Sequence, residues 1–418
     1  MLSPLKEKVQ LLKIDHFHWY TPVQKIATLF KEHGHEVRIV GGAVRDIILC
    51  KQPKDVDLCT TANPDEMLAI LEISGTAHRK TGIQHGTVTI YKKGHGFEMT
   101  SLRRDEFELG EKVCKYGKSF EEDANRRDLT INAMSLDIKG RLYDYYDGQE
   151  HLAEGWLRFV ESAEVRIEED PLRMLRYFRF ASCSEEILRV ECGDDYKKVF
   201  RDKKDLLANV AGERLWKEME KVLSSPRCAE ALDAMEECDL LSAMSLPKIN
   251  TEPYVALLDN SDTAPGITCD SKAAVVLGLI FKGKPDLLQD LVDRWRVSNK
   301  VKEDSFSAAF ISRDPCLSEL KKKLYAEAPA KFEEQKTVFL QTFMSDKKCG
   351  LSKEDMGDLE KFSRPIFPFS KDHFGAVPEF KSKQKDAMDT LKAEWIKSVF
   401  TLPIKEMIEM VREMANQK

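Results

Sequence analysis

The stretch "GGAVRDIILCKQPKDVDLCTT", residues 41–61, places two aspartates one residue apart shortly after a pair of glycines. Its last part, "DVDLCTT" (55–61), alternates like a β-strand. Side chains at positions i and i+2 of a strand point to the same face, so Asp55 and Asp57 are expected to project together while Val56 packs inward. Adjacent carboxylates repel each other, and a divalent cation such as Mg²⁺ relieves that repulsion. The pair therefore predicts a metal site.

A third carboxylate and a glycine turn extend this site. Glu98 lies in "GFEMTSL" (96–102), which is predicted to be a neighbouring strand. Three carboxylates suit a two-metal phosphoryl-transfer site, in which the ions clamp the attacking and leaving oxygens. Gly41 and Gly42 follow a strand predicted over 36–40 and precede a helix, an arrangement that turns backbone N–H groups toward a phosphate. Each of these motifs is common alone, since D-x-D is often an exposed strand edge and Gly-Gly is often only a turn. The site is predicted by the order strand, Gly-Gly, helix, D-x-D strand and a later strand with Glu.

The elements that must position these residues change character along the chain. A helix is predicted over 22–33, and strands are predicted over 36–40, 55–61, 86–91, 96–102 and 141–147. After about residue 155 strand signals nearly vanish, and helical periodicity recurs over 168–181, 211–223, 227–241, 287–297, 386–400 and 402–417. The predicted fold class is α+β, with a small mixed-sheet head at 1–155, a helical neck at 156–240, and a helical body and tail at 241–418.

Composition and charge limit the class of protein. With 418 residues, of which 42% are hydrophobic, the chain is long enough for roughly two to four domains. A net charge of −6 argues against a nucleic-acid-binding surface that covers the whole protein and favours a local basic groove. No run of about 18 apolar residues occurs, so no membrane span and no membrane partner are predicted.

The cysteines and the N-terminus bear on the cellular location. Ten cysteines are scattered without a C-x-x-C pair, which indicates reduced thiols rather than a zinc site or a disulfide framework. The first 20 residues lack a signal-peptide pattern, contain no Arg and carry Glu7 and Asp15, so they form a poor transit peptide. We predict an intracellular, soluble, cytoplasmic protein, with a mitochondrial or nuclear pool as the alternative.

Several motifs occur in the order typical of one enzyme family. "GGAVRD" and "KDVDLCTT" are followed by "EEDANRRDLTINAM" (121–134), "EEDPLRMLRYFRF" (168–180) and "AGERLWKEMEKVL" (211–223). Together they span residues 36–223 and resemble the class II nucleotidyltransferases of the polymerase-β superfamily, which comprise the tRNA CCA-adding enzymes and the bacterial-type poly(A) polymerases. The resemblance implies a polymerase-β-like head. Residues 240–418 match the family only in their helical character.

The resemblance also implies roles for individual residues. Asp55 and Asp57 would hold the catalytic Mg²⁺, with Glu98 assisting. The nucleotide would be bound by Gly41, Gly42, Arg45, Arg126, Arg127, Asp128, Asn132, Asp170, Arg173, Arg176 and Arg179. Within this set, Gly42 and Arg45 would hold the triphosphate, and the residues from Asp170 to Arg179 would line the base and phosphate side.

The segment "EEDPLRMLRYFRF" offers a way to choose a base. Asp170 suits the N-cap of a helix, and Pro171 suits its first position. Arg173, Arg176 and Arg179 recur beside apolar side chains, where we expect a bound anion or base to supply a partner for an otherwise unpaired charge. Cytosine and adenine both present an amine beside a ring-nitrogen acceptor, so Asp170 and Arg173 would accept them and reject uracil and guanine. In the plainer interpretation, Asp170 only caps the helix and the arginines form structural ion pairs.

The implied function is template-independent addition of C, C and A to the 3′ end of tRNA by Mg²⁺-dependent nucleotidyl transfer. The implied partners are the acceptor arm of tRNA and the substrates CTP and ATP. One alternative is a relative restricted to poly(A), CC-only or A-only addition. Another, from a different class, is a catalytically inactive RNA-binding protein. The oligomeric state is not predicted.

Two segments depart from the family pattern. Residues 103–120 are predicted to form a flexible loop, and "ELGEK" (108–112) stands where the family has an acidic-Gly-basic run that helps the switch from C to A. Cys50 stands where the family often ends a helix with glycine. Lysines also recur at 281–286, 297–304 and 321–323. They are either contacts to tRNA phosphates or solvated helix faces.

Overall fold

The computed structural model describes residues 11–108, 111–184, 190, 192–249, 269–281, 284–309, 317–326, 336, 340, 352–377 and 384–416. The chain divides into two compact units. The first comprises residues 1–210 with 237–243, and the second comprises 211–236 with 244–418. The three-part division at residues 155 and 240 stays a prediction.

A seven-stranded mixed sheet forms the centre of the first unit. Its strands are β1 (Val37–Val40), β2 (Asp57–Thr60), β3 (His78–Gly82), β4 (Thr87–Lys92), β5 (His95–Ser101), β8 (Ser135–Leu136) and β9 (Leu142–Tyr143), in the order β3-β4-β5-β2-β1-β8-β9. Strands β2 and β5 run parallel, and the other neighbours run antiparallel. The predicted α+β class with a mixed sheet is therefore confirmed, although the strand predicted over 141–147 extends only over Leu142–Tyr143.

The register of β2 and β5 sets which side chains face the site. Leu58 lies opposite Met99, so Asp57 and Glu98, one residue earlier on each strand, are level with each other. Leu58 and Met99 are buried in the core, whereas Asp57 and Glu98 are exposed. This alternation is what the pleat of a strand requires, and it places both carboxylates on the open face of the sheet.

The segment predicted as a flexible loop over 103–120 has regular structure instead. Strands β6 (Arg103–Glu108) and β7 (Glu111–Tyr116) pair antiparallel as a separate two-stranded sheet. Leu109 and Gly110 lie outside the described residues. At the base of the hairpin, the Gly117 amide donates to the Leu102 carbonyl at 2.9 Å. The loop prediction was wrong because continuous cross-strand hydrogen bonding, which local composition does not reveal, orders this polar segment.

Helices flank the sheet in the first unit. They are α1 (Tyr20–Glu32), α2 (Gly42–Ile48), α3 (Pro64–Ile73), α4 (Phe120–Asn125), α5 (Gly148–Ala153), α6 (Ala163–Glu169), α7 (Arg173–Cys183), α8 (Asp194–Lys203) and α11 (Leu240–Ala243), with short 3₁₀ helices at Ile83–His85, Thr130–Asn132 and Lys204–Asn209. The helix predicted over 168–181 is thus divided between α6 and α7. The helix predicted over 227–241 stops at Glu237, because Asp239 adopts a left-handed conformation with φ 57°.

The break between α6 and α7 changes how the second helix begins. Asp170 has an extended backbone, and its carboxylate accepts from the Leu172 amide at 3.2 Å. The Arg173 amide donates to the Asp170 carbonyl at 3.0 Å, which forms a tight turn before the helix. Asp170 therefore caps the turn that leads into α7, as expected, because its extended backbone, its carboxylate and its carbonyl make the contacts of an N-cap residue. The regular helix begins two residues later than the predicted Pro171, at Arg173.

The second unit is helical wherever the structure describes it. Its helices are α9 (Gly212–Leu223), α10 (Cys228–Glu237, whose last residue is grouped with the first unit), α12 (Cys269–Ile280), α13 (Pro285–Trp295), α14 (Asn299–Ala309), α15 (Leu317–Ala326), α16 (Lys353–Lys361), α17 (Gln384–Lys397) and α18 (Ile404–Asn416), with a 3₁₀ helix at Lys371–Ala376. Beyond its first turn helix α12 is apolar, and its residues from Ala273 to Ile280 other than Gly278 are buried hydrophobics. None of the helices in the described part of the chain has the length and apolar character needed to cross a membrane.

Candidate active site

The predicted metal-binding carboxylates meet at the end of β2. Asp57 opens β2, and Asp55 lies just before the strand; both are exposed, while Val56 between them is buried. The pKa of Asp57 is raised, first because nearby protein partly desolvates its carboxylate and then because Glu98 and Asp55 add negative charge; Arg127 opposes the shift. The structure therefore brings Asp55, Asp57 and Glu98 into electrostatic contact, as predicted.

The three carboxylates suit a cation that binds together with substrate phosphates. Among the residues that the structure describes, no three His, Cys, Asp or Glu side chains form a ready-made metal site. Mg²⁺ is usually held by one or two carboxylates together with substrate phosphates and water, and it does not need an all-protein cage. The raised pKa of Asp57 indicates negative charge that the protein compensates incompletely. Asp55 and Asp57, with Glu98 beside them, are thus suitable ligands for Mg²⁺.

The two glycines join β1 to α2 by a turn that other residues adopt poorly. Gly41 has φ 70°, in the left-handed region, and a Cβ there would lie 3.2 Å from a guanidinium nitrogen of Arg127. Arg45 follows on α2 and is held by two carboxylate contacts to Asp46, at 2.7 and 3.0 Å. It also donates to the side-chain oxygen of Asn132 at 3.0 Å. These bonds fix the Arg45 guanidinium beside the glycine turn.

A buried aspartate organises the next two arginines. Asp123 is 2% exposed, and its two carboxylate oxygens bind different partners. One oxygen accepts from Arg126 at 2.7 and 2.9 Å, and the other accepts from Arg127 at 3.0 and 3.2 Å. Burial alone would raise the pKa of Asp123, but Arg127 and Arg126 more than offset that effect and lower it. Arg127 then donates to the Asn132 carbonyl at 3.4 Å, which links it to the partner of Arg45.

The strand below Arg127 carries a thiol that stays protonated. The Cys59 sulfur lies 3.7 Å from a guanidinium nitrogen of Arg127. Burial, followed by the charge of Asp123, raises the pKa of Cys59 to about 12, although Arg127 and Arg126 oppose the shift. Cys59 is therefore a neutral packing residue at this point of the site, not a nucleophile.

The predicted arginines of α7 already have protein partners. Arg173 is 9% exposed and donates to Glu169 at 2.6 Å and to the Arg126 carbonyl at 2.7 Å. Arg176 binds Asp128 at 2.6 Å, and although burial acts against it, this guanidinium lowers the pKa of Asp128. The expectation that these two charges lack protein partners was wrong, because carboxylates outside the helix meet them in the fold. Arg179 lies with its guanidinium carbon 4.2 Å from the ring centre of Phe180.

The structure adds residues that the motifs did not single out. Asp123 and Glu169 hold two arginines each, since Glu169 also accepts from Arg166 at 2.9 Å. Helical spacing could have revealed both residues: Asp123 lies three and four positions before Arg126 and Arg127, and Glu169 lies four before Arg173. No comparable sequence signal points to Phe180, whose neighbours include arginines from two different helices.

Family models match two segments of the chain, of which the first contains the carboxylates and the glycine turn of the site. Residues 37–158 match the "Poly A polymerase head domain", and residues 194–251 match the "Probable RNA and SrmB- binding site of polymerase A".

Named relatives extend these matches. The chain is 35% identical over 283 residues to the mitochondrial CCA tRNA nucleotidyltransferase 1 of Danio rerio, which covers 66% of this chain and 63% of that protein. It is 29% identical to the protein of the same name from Homo sapiens over 402 residues, covering 94% and 90%. A CCA-adding enzyme of Geobacillus thermodenitrificans is 39% identical over 50% of each chain.

Solved structures match along nearly the whole length. The Bacillus stearothermophilus CCA-adding enzyme in complex with CTP has a TM-score of 0.63 and 25% identity, covering 95% of this chain and 93% of that one. An apo form of a CCA-adding enzyme has a TM-score of 0.69 at 19% identity, with 96% of both chains covered, which supports the fold alone. In sequence and fold the chain is therefore similar to tRNA nucleotidyltransferases and CCA-adding enzymes, and its head matches that of poly(A) polymerases.

Proposed function

We propose that this protein is a template-independent nucleotidyltransferase that adds C, C and A to the 3′ end of tRNA. The observation that carries the proposal is the level arrangement of Asp57 and Glu98 on parallel strands, with the guanidinium group of Arg127 nearby. Carboxylates for a cation and guanidinium groups for phosphates are the parts that nucleotidyl transfer requires. Relatives named as CCA-adding enzymes or CCA tRNA nucleotidyltransferases supply the substrate assignment.

Asp55 and Asp57 would hold Mg²⁺, with Glu98 assisting. When bound, the ion supplies charge that stabilises the phosphoryl oxygens and favours ionisation of the attacking 3′-hydroxyl. The chain itself contributes position and charge: Arg127 lies next to the carboxylates, and the Gly41–Gly42 turn brings the backbone close to the guanidinium groups of Arg127 and Arg45. No side chain is required to remove the hydroxyl proton in this proposal.

Arg45, Arg126, Arg127 and the arginines of α7 would bind the nucleotide. Because Asp123, Asp46 and Asp128 orient these guanidinium groups before any ligand arrives, little conformational freedom remains to be lost on binding. Asp170 and Arg173 remain the proposed base-reading pair, with a carboxylate acceptor for the amine of C or A and a guanidinium donor for the ring nitrogen. Glu169 would orient Arg173 for this task.

A relative restricted to poly(A), CC-only or A-only addition remains the alternative. The hairpin at Arg103–Tyr116 occupies the position of the loop that the family uses in the switch from C to A, so partial addition would be explained there. We place the protein inside the cell on its scattered cysteines, and the helical second unit is the proposed site of tRNA contacts.

The test supplies the purified chain with Mg²⁺ and a tRNA transcript that ends at the discriminator base. CTP and ATP are added separately and together, and the product ends are sequenced. Growth by C, C and A followed by termination is the expected result. The double variant Asp55→Ala plus Asp57→Ala should still bind tRNA but add nothing.

Other product patterns would change the assignment. Addition of CC alone, A alone or a long A tail would identify a restricted relative. Failure to extend any RNA while nucleotide and tRNA still bind would favour a catalytically inactive RNA-binding protein. Undiminished transfer by the double variant would contradict the assigned roles of the two aspartates.

A further inference from the structure

The aromatic ring of Phe180 lies among three arginines of the candidate site. The guanidinium carbons of Arg179, Arg45 and Arg176 lie 4.2, 5.6 and 5.7 Å from the ring centre. All three distances fall within the range of cation–π attraction. Phe180 itself is half-buried on α7, four residues after Arg176 and therefore on the same helical face.

The arginines around Phe180 come from different parts of the chain. Arg45 lies on α2, directly after the glycine turn, whereas Arg176 and Arg179 lie on α7. Like charges gathered around one point repel each other unless something compensates them. Asp46 pairs with Arg45 and Asp128 pairs with Arg176, and all three guanidinium groups also lie near the aromatic ring, whose face is negative.

We propose that Phe180 is a positioning residue of the nucleotide site, whose ring holds Arg45 and Arg179 ready for the triphosphate of CTP or ATP. The proposal rests on the proposed function, since that function supplies the ligand. Two guanidinium groups that face one ring lie within reach of a single polyphosphate. Because phosphates are common to both nucleotides, Phe180 should affect CTP and ATP equally and leave the choice between C and A unchanged.

The ring can be removed while its apolar volume is largely kept. Phe180→Leu is expected to raise the KM for CTP and for ATP by similar factors, about tenfold, with kcat and the KM for tRNA nearly unchanged. Phe180→Tyr keeps an aromatic face and should stay close to the wild type. Phe367→Leu, a half-buried aromatic in the other unit, controls for the general effect of losing a ring and should leave the nucleotide KM unchanged.

A double-mutant cycle with Arg45→Lys separates positioning from general packing. If the ring acts through the planar guanidinium of Arg45, Phe180→Leu should have a smaller effect on KM in the Arg45→Lys background than in the wild type. Equal effects in both backgrounds would overturn the proposal. So would an unchanged nucleotide KM in Phe180→Leu, or a loss of kcat with no change in KM.

Nucleotide binding gives a readout that does not depend on turnover. CTP and ATP with Mg²⁺ should raise the melting temperature of the wild type more than that of Phe180→Leu, whose melting temperature without ligand serves as the folding control. If the wild type binds CTP but does not add C to tRNA, the proposed function is contradicted. The difference in nucleotide-induced melting temperature between the wild type and Phe180→Leu still tests the role of Phe180. A wild-type chain that binds neither nucleotide would overturn both proposals.

Discussion

At the scale of single residues, the site is a set of carboxylates with two different electrostatic roles. The pKa of Asp57 is raised, first because its carboxylate is partly desolvated and then because Glu98 and Asp55 lie nearby, while Arg127 opposes the shift. Asp123 and Asp128 are instead surrounded by arginines that lower their pKa values despite burial. The first group is ready to bind a cation, and the second keeps the guanidinium groups in place.

This difference predicts that Asp57→Asn stabilises the Mg²⁺-free protein while abolishing transfer. The pKa of Asp57 is raised in the folded state, so its ionised form lowers the free energy of unfolding at neutral pH, and that cost disappears as the pH falls through the raised pKa. We expect Asp57→Asn to melt at a higher temperature than the wild type at pH 7. Loss of the ligand should reduce the transfer rate roughly a hundredfold or more.

Thermal melts with and without Mg²⁺, at pH 7 and at pH 4.5, measure this effect. The stability gain should shrink at the lower pH, and Mg²⁺ should stabilise the wild type more than the variant. Asp15→Asn, a change at an exposed aspartate elsewhere in the first unit, is the matched control. A variant that melts below the wild type without Mg²⁺ would contradict the electrostatic account.

At the scale of elements, close packing in the second unit depends on a glycine inside a helix. Gly278 lies in α12, and a Cβ there would lie 2.3 Å from the Ser305 carbonyl oxygen and 2.6 Å from the Ala308 Cβ, both on α14. Such distances require the two helices to move apart. The missing side chain therefore allows α12 and α14 to approach each other closely.

We expect Gly278→Ala to destabilise the protein by about 1–3 kcal/mol, because overpacking outweighs the helix propensity gained. Gly357→Ala is the matched control, since Gly357 is also inside a helix, α16, but a Cβ there meets no atom within 4 Å. Gly357→Ala should raise the free energy of unfolding by up to about 1 kcal/mol. Unfolding in urea measures both changes, and a stabilised Gly278→Ala would show that the helices do not pack this closely.

At the scale of the whole molecule, net charge bears on how tRNA is bound. The chain has a net charge of −6, so attraction to a polyanion must come from local basic surface and not from the overall field. Local phosphate contacts release counterions and make binding salt-dependent.

We predict that tRNA affinity falls by roughly 10²- to 10³-fold between 50 and 200 mM salt, as expected for about four to six phosphate contacts. Fluorescence anisotropy of a labelled tRNA transcript, with log affinity plotted against log salt, measures the slope. The same titration with CTP in place of tRNA provides the comparison for a small ligand. A nearly flat line for tRNA would mean that phosphate contacts contribute little.

Local patterns were sufficient for much of the first unit. The alternation in "DVDLCTT" and "GFEMTSL" predicted β2 and β5, and it also predicted that Val56 packs inward between the two projecting aspartates, where it is buried. Gly-Gly after a strand predicted the turn into α2. These features follow from the period of a strand and from glycine's access to positive φ, both of which are properties of a few adjacent residues.

Tertiary structure decided the features that join distant segments. The Asp128 partner of Arg176 and the meeting of Arg45 with Phe180 both bring together groups far apart in the chain, whose contact local periodicity does not specify. The sequence by itself determined the change from a mixed-sheet head to helices, the chemistry of the carboxylates and the family motifs. Only the fold decided that Asp128 neutralises Arg176 across 48 residues of chain, because a charge pairs with whatever opposite charge the packed chain brings within a few ångströms.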